Sequence, residues 1–555
     1  MKNSLCKALC GVLISLLAQG CGSGGDAVSG PVGAQASQTE LDLGVATLNN
    51  PEPALRIAPT EFLRARRAGA SNTALLSVAD LETDYETVFG SLSDSLGVTL
   101  DTPQVAADIS FIASQDGTGH FNLLSRPILN NPQGVTGVAF QSLEYDTTVT
   151  LPTGNRTFHV SGGLLKPQGI SKAGIKGVVV YFHGTTFNKS QVPSNYERSI
   201  EAQLMAEVFA SQGYIVVMPD YVGQGVDWQD VHPYVLYPQV SAKTATDMLS
   251  AVRANLVTSY GILPGDPALK LFSVGYSEGG AYSLWFHQFL SSNPGLLDSL
   301  YSMTHSVGIE GAYNTSEITY GYLFDDVSGL GVNKYNIQTQ GLTNMVKPIL
   351  SADAFLSYAV YSYASDFASI FQPEFFSMTG TPSSLQPAIN VNGQQLTIQQ
   401  AFALPDTTIS TQTLFAGLGK SNNGSTYPSL ETLLLPFTTK NSINSLVSTD
   451  LLLPGFQLKL RQVLQAADLD LSAVPSQGVS IVSLDQDSVV TPNNFDDLLQ
   501  KFPDKIRNSY KVDHTQLQIL SPFSPVLGRP VFLPTDHLHA LIYEFLYALN
   551  TFNQF

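Results

Sequence analysis

The rhythm of apolar and polar positions changes several times along the chain. Residues 138–151, VAFQSLEYDTTVTL, alternate in part, which predicts a strand with one covered face. Pro152-Thr153-Gly154-Asn155 supplies turn chemistry and RTFHVSGGLLKP runs back, so a hairpin is expected. Residues 178–182 are apolar without alternation, the pattern of a strand covered on both faces of a parallel sheet. Residues 199–212 carry Ala202, Met205, Ala206 and Phe209 at helical spacing. GYIVVMPD reads as another buried strand, and 244–257 as a helix with Met248, Leu249 and Val252 on one face. LKLFSVGYSEGG is strand then turn, AYSLWFHQFL a helix, and MTHSVGIEGAY a strand again. Short apolar strands alternating with helices spell a βαβ sheet.

Two regions break this rhythm. Residues 46–137 show no clear pattern beyond a helical stretch expected over 75–92 and a short basic patch, Arg64 to Arg67, which reads as a solvated face. Between about 315 and 473 the chain is rich in aromatics and leucine, with helical stretches over 347–370 and 442–471. Pro454 is expected to break the second stretch, and INVNGQQLTI reads as a small hairpin. The region is expected to be a large, mainly helical lid or cap. The sheet pattern resumes at GVSIVSLDQDSVVTP, and HLHALIYEFLYALNTF closes the chain as an amphipathic helix. No fixed-period repeat occurs.

The N-terminus carries a different signal. Lys2 and Lys7 precede an apolar run of about eleven residues, ALCGVLISLLA, the length of a signal-peptide core and too short for a stable membrane span. The run ends in LLAQGC. This resembles a bacterial lipoprotein signal, with Cys21 as the lipidated residue. Ala18-Gln19-Gly20 also reads as an ordinary cleavage site, so plain secretion is the alternative. The Gly/Ser-rich stretch after Cys21 reads as a flexible linker. The expected organisation is a signal peptide over 1–20, a linker over 21–45, an unassigned segment over 46–137, a first core part over 138–320, an insertion over 321–472 and a second core part over 473–555. An outer-membrane lipoprotein is the expected location, with secreted or periplasmic protein as the alternative.

Composition narrows the functional classes. The 555 residues are 43% hydrophobic and only 13% charged, enough for a sizeable core. The net charge is −18, and removing Lys2 and Lys7 leaves 25 basic against 45 acidic residues, or −20. A nucleic-acid partner is therefore not expected. The three cysteines, Cys6, Cys10 and Cys21, all lie at the extreme N-terminus, so the body after Cys21 is expected to have no thiol nucleophile, disulfide or cysteine metal site.

Gly275-Tyr276-Ser277-Glu278-Gly279 is the single G-x-S-x-G motif. Alone it is a weak pattern. Its context is specific, because an apolar strand runs straight into it and a helix straight out. So sharp a turn needs Gly275 and Gly279 on either side, and it presents the Ser277 hydroxyl as a nucleophile. A serine needs a base, expected late in the chain, where Asp536-His537-Leu538-His539 offers His537, with His539 as the alternative. The acid is expected between them, at Asp487, with Asp485 as the alternative. Oxyanion donors are expected from the backbone N–H groups of Glu278 and Thr185, with Gly184 next in line. His183 reads as a loop-orienting residue, Asp220 as a strand-end turn residue, and His232 as a loop residue that could border the pocket.

These segments resemble the α/β-hydrolase superfamily, and within it the secreted bacterial and fungal lipase and esterase group. The resemblance is carried by VVVYFHGTT, GYIVVMPDYVGQG with VHPY after it, GYSEGGAYS, DQDSVVTPNN and the terminal DHLHA. It spans about 138–320 and 473–555. It departs from the group where S-L-D-Q-D replaces H-G-x-x-D and where Asp536 rather than Gly precedes the histidine. The resemblance implies a mostly parallel sheet flanked by helices and a Ser-Asp-His hydrolase of carboxylic esters, with no metal or organic cofactor. The expected partner is a small-molecule or lipid ester, with the membrane reached only through the anchor. A peptidase or amidase of the same fold, or a non-catalytic surface-binding protein, are the alternatives.

Overall fold

The computed structural model describes residues 73–77, 79–81, 134–186, 191–196, 199–227, 230–324, 332–337, 462–514, 518–520, 532–534, 537 and 540–555, with short pieces between 350 and 397. The leader with Cys21, the linker, the basic patch, Pro454 and His539 lie outside the described residues, as does most of the insertion.

A nine-stranded sheet organises the rest. Its strands are β1 (Thr73–Ser77), β2 (Gly137–Leu151), β3 (Gly154–Gln168), β4 (Gly177–Phe182), β5 (Tyr214–Pro219), β6 (Leu269–Tyr276) and β7 (Tyr301–Ile309). A two-stranded hairpin, β8 (Ala388–Val391) and β9 (Gln394–Thr397), stands apart from it. The last two strands of the large sheet are β10 (Val479–Leu484) and β11 (Ile506–Val512). The spatial order is β1-β2-β3-β5-β4-β6-β7-β10-β11. The first three contacts are antiparallel, and every neighbour from β5 to β11 is parallel. A further pair, β12 (Gln518–Leu520) and β13 (Phe532–Pro534), is antiparallel.

Helices α1 (Ile200–Val208), α2 (Pro238–Tyr260), α3 (Glu278–Ser292), α4 (Asn493–Lys501) and α5 (Leu541–Phe552) flank the sheet. The α1 helix starts at Ser199, whose hydroxyl accepts the Ala202 N–H. Pro238 opens α2 and Gly261 ends it in the left-handed conformation.

The missing alternation in β4 has a direct cause. Val178, Val180 and Phe182 join one core layer with Met248, Leu249 and Val252 of α2 and Phe286 of α3. Val179 and Tyr181 join the opposite layer with Leu204, Met205 and Val208 of α1 and Phe545, Leu546 and Leu549 of α5. With both faces covered, a polar side chain would be buried at either parity, so neither is polar. Each such side chain contributes roughly 1.5–3 kcal/mol of burial.

The expected hairpins form. The β2 and β3 pairing runs without a break from Gly137↔Gln168 to Leu151↔Gly154. In the insertion, Val391 pairs with Gln394, as INVNGQQLTI implies. One expectation is corrected. Residues 73–77, partly inside the expected helix over 75–92, form β1, antiparallel to β2, with Leu75 opposite Ala139. Residues 79–81 are helical. The β2 edge offers unpaired backbone groups, and pairing with them outweighs the local preference of TALLS. Strand β11 and helix α4 have no counterpart in the expectations. As an edge strand, β11 buries only Ile506 and Val512 at its ends, so it carries little apolar signal.

Candidate active site

Ser277 sits between the end of β6 and the start of α3 at φ 57° and ψ −118°. Its N–H donates to the Ile309 carbonyl at 2.8 Å, and its own carbonyl accepts from Gly280 at 2.9 Å. A non-glycine residue held there is strained by about 1–3 kcal/mol. The flanking glycines explain how the turn closes. A Cβ on Gly275 would lie 2.0 Å from the Gly279 carbonyl oxygen, and one on Gly279 2.0 Å from the Phe182 carbonyl oxygen. Both obstacles are backbone of the central sheet and its following helix, so neither can move aside. Ser277 is nevertheless at the C-terminal end of the parallel strands, where such sheets leave a crevice.

His537 reaches this point from the segment before α5. Its Nε2 lies 3.0 Å from Ser277 Oγ, and its Nδ1 donates to Asp487 Oδ2 at 2.6 Å. All three side chains are buried. Tyr276 donates its hydroxyl to the His537 carbonyl and lies against the imidazole, with ring centroids 4.9 Å apart. Asp487 follows β10. Its other oxygen accepts the N–H groups of Val489 at 2.7 Å and Val490 at 3.1 Å, which locks the carboxylate toward the ring. Asp485, the alternative acid, is turned away and holds the backbone and ring of His514 instead. Residues from the insertion brace this loop: Asn336 accepts the Asp487 N–H at 2.9 Å and Tyr322 donates to the Ser488 carbonyl at 2.7 Å.

Burial alone would lower the His537 pKa. The charges of Asp487 and then Glu310 outweigh it and hold the imidazole well above its ordinary value. Glu310 was not among the expected residues. It lies immediately after β7, with Oε2 2.6 Å from His537 Nδ1. A lone glutamate after a strand carries no motif, so only the fold brings it here.

The residues expected to supply oxyanion donors are also tied into the site. The Gly184 N–H donates to Glu201 Oε2 at 2.9 Å, so that donor is already engaged. Neither the Thr185 nor the Glu278 N–H has a hydrogen-bond partner among the described residues. The two residues are tied together, because Thr185 Oγ1 donates to Glu278 Oε2 at 3.0 Å. Glu278 Oε1 in turn meets His232 Nε2 at 2.5 Å and the Tyr282 hydroxyl at 2.7 Å. Burial would raise the Glu278 pKa, but His232 and these hydrogen bonds keep it below the usual carboxylate value. His232 therefore supports Glu278 within the site, rather than standing as a mere loop residue. Replacing Thr185 with valine keeps the N–H and removes the tie to Glu278. We expect kcat to fall about tenfold with KM nearly unchanged, because a donor slightly misplaced stabilises the oxyanion less. Unaltered kcat would show that the tie does not position the donor.

His183 and Asp220 lie beside the site as supports. The ring nitrogens of His183 face the Gly184 and Asp220 carbonyls, and the ring stacks on Tyr221 with centroids 4.0 Å apart. Asp220 accepts from Ser161 Oγ at 2.5 Å and from the Ser194 N–H at 2.8 Å.

The order of this mostly parallel sheet between helices, with a strained serine after β6, an aspartate after β10 and a histidine before the last helix, is that of the α/β-hydrolase fold. A crystal structure from Legionella pneumophila, assigned but not proven as a hydrolase, shares this fold at 18% identity and a TM-score of 0.50, over 80% of this chain and 94% of that one. The rice cell wall degrading esterase LipA from Xanthomonas oryzae is 20% identical, with a TM-score of 0.46 over 70% of this chain and 86% of that one. Candida antarctica lipase A is 13% identical, with a TM-score of 0.39 over 69% and 73%. At 18% identity the likeness to the Legionella structure is one of fold. No protein-family model matches the sequence, and no curated protein matches it.

Proposed function

We propose that this chain is a serine hydrolase that cleaves carboxylic esters through an acyl-enzyme. The observation that carries the reading is the line from Ser277 Oγ through the His537 ring to Asp487, at 3.0 and 2.6 Å, ending on a strained serine. Ser277 Oγ attacks the ester carbonyl as His537 Nε2 takes its proton. The carbonyl oxygen becomes an oxyanion held by the Thr185 and Glu278 N–H groups. Asp487 keeps Nδ1 protonated and steadies the imidazolium. The tetrahedral intermediate collapses, and His537 passes the proton to the leaving alcohol. Water, deprotonated by His537, then attacks the acyl-enzyme, releasing the acid and restoring Ser277.

The aromatic, leucine-rich insertion favours an apolar acyl group, and its pieces contact the loops around the site. Ser357 donates to the Pro233 carbonyl and Tyr361 to that of Val231. We further propose export through the N-terminal signal, with Cys21 as the lipid attachment point.

A p-nitrophenyl ester series from short to long acyl chains tests the reading. We expect hydrolysis, with the best chain length reporting the pocket. A folded protein inert across the whole series would overturn ester hydrolysis. The pH dependence adds a second check. His537 must be neutral to accept the Ser277 proton, and its pKa lies above the ordinary 6.5. Activity therefore rises with pH, and the acid limb of kcat/KM falls above 6.5. A limb centred below that value would contradict the electrostatics of the site.

A further inference from the structure

Glu310 has no role in the steps above, yet it touches the ring that performs them. Its backbone is fixed, with φ 49° and an N–H donated to the Val482 carbonyl of β10 at 2.9 Å. Its Oε2 is as close to His537 Nδ1 as Asp487 Oδ2 is, 2.6 Å in each case. The two carboxylate oxygens and the ring nitrogen all lie within 4.8 Å of one another. The N–H points at Asp487, which takes the hydrogen bond. Glu310 lies off that line, and neither of its oxygens accepts a hydrogen bond of good geometry. A buried carboxyl left in that condition is costly.

The surroundings show how it is tolerated. Glu544 of α5 faces Glu310 and is also fully buried. Three ionised carboxylates cannot share this space with one imidazole. Burial first, and then the Glu310 charge, push Glu544 well above the usual carboxylate range. Burial also raises Glu310, with the His537 charge acting against it and the Asp487 charge with it. Tyr276, from the end of β6, and Tyr313 also face this group. Glu310 thus stands beside Nδ1 with a second buried carboxyl behind it.

We propose that Glu310 is a second positioning residue for His537, a reserve carboxyl that takes over the Nδ1 contact when Asp487 cannot hold it. This rests on the serine-hydrolase reading. In a triad with a single acid, replacing that acid by its amide lets the ring adopt the wrong tautomer, at a loss of about 10⁴ in kcat. Here a small turn of the ring would aim Nδ1–H at Glu310 and keep the productive tautomer.

The test compares kcat and KM for the wild type, Glu310→Gln, Asp487→Asn and the double variant on one p-nitrophenyl ester, with Ser277→Ala as reference. We expect Glu310→Gln to cost less than about fivefold, and Asp487→Asn to keep kcat about tenfold or more above the double variant, with KM similar throughout. The residual activity of Asp487→Asn should fall as pH drops through the raised titration of Glu310, a limb the double variant lacks. Equal kcat and equal pH profiles for Asp487→Asn and the double variant would overturn the proposal. Should Glu310→Gln fail to fold, the downfield proton resonance of His537 Nδ1 decides. Its persistence in Asp487→Asn supports a second acceptor, and its loss there removes it. Full activity in Ser277→Ala would instead overturn the serine-hydrolase reading itself, whatever the carboxyls do.

Discussion

Ser277→Ala is expected to lower kcat on p-nitrophenyl esters by about 10⁶-fold, with a melting temperature close to that of the wild type. On the proposed mechanism, the size follows from losing the one atom that would become covalently bonded to the acyl group. His537 without Ser277 could at most activate water, and the proposed donors at Thr185 and Glu278 would retain a residual enhancement of about 10³–10⁴ over water. The stability part of the expectation follows from the backbone. Alanine keeps the Cβ that makes φ 57° and ψ −118° costly, so the strain remains. Ser277→Gly is the informative companion. It is equally inactive, but it relieves the strain and should stabilise the fold by about 1–3 kcal/mol. Steady-state kinetics beside urea denaturation check both halves. An alanine variant with a hundredth or more of wild-type kcat would rule out Ser277 as the nucleophile.

The second large effect is on the fold, through one methyl group. Gly279→Ala places a Cβ 2.0 Å from the Phe182 carbonyl oxygen, and that carbonyl belongs to β4 at the centre of the sheet. A long side chain could swing away from such a contact; a strand packed on both faces cannot. Either α3 shifts away from β4 or the elbow opens. In both cases Phe182, Phe286 and Tyr221 lose their mutual packing. We expect destabilisation of about 3 kcal/mol or more, at the upper end of overpacking costs. We also expect kcat to fall in whatever protein still folds, because Ser277 Oγ moves relative to His537. The midpoint of urea denaturation reports the first effect. A midpoint equal to that of the wild type would show that the strand–helix approach is looser than 2.0 Å implies.

Local chemistry made the core of this site legible before any folding was considered. An apolar strand, a glycine, a serine and a second glycine before a helix can be placed in few ways, so GYSEG marked Ser277 directly. The buried strands were equally plain, because Val178, Val179 and Val180 all face apolar neighbours. Choices between near neighbours were not legible. Asp485 and Asp487 are two residues apart on the same loop and chemically alike. The structure separates them through partners distant in sequence: His514 takes Asp485, while Asn336 and His537 take Asp487. Thr185 and Gly184 separate in the same way, through Glu201 on α1.

The N-terminal strand and Glu310 were invisible for a shared reason. TALLS becomes β1 only because the edge of β2 is open beside it. Glu310 matters only because β7 and β10 are neighbours and the last helix and the segment before it bring Glu544 and His537 to the same spot. By itself the sequence determined the alternating strands and helices, the acidic charge, the absence of cysteine chemistry in the body, and the serine on its turn. These are properties of consecutive residues. Which aspartate meets the histidine, which loop N–H Glu201 engages, and that a second carboxyl lies beside the imidazole were decided by the tertiary structure. Each depends on atoms distant in the chain that only the assembled sheet brings together.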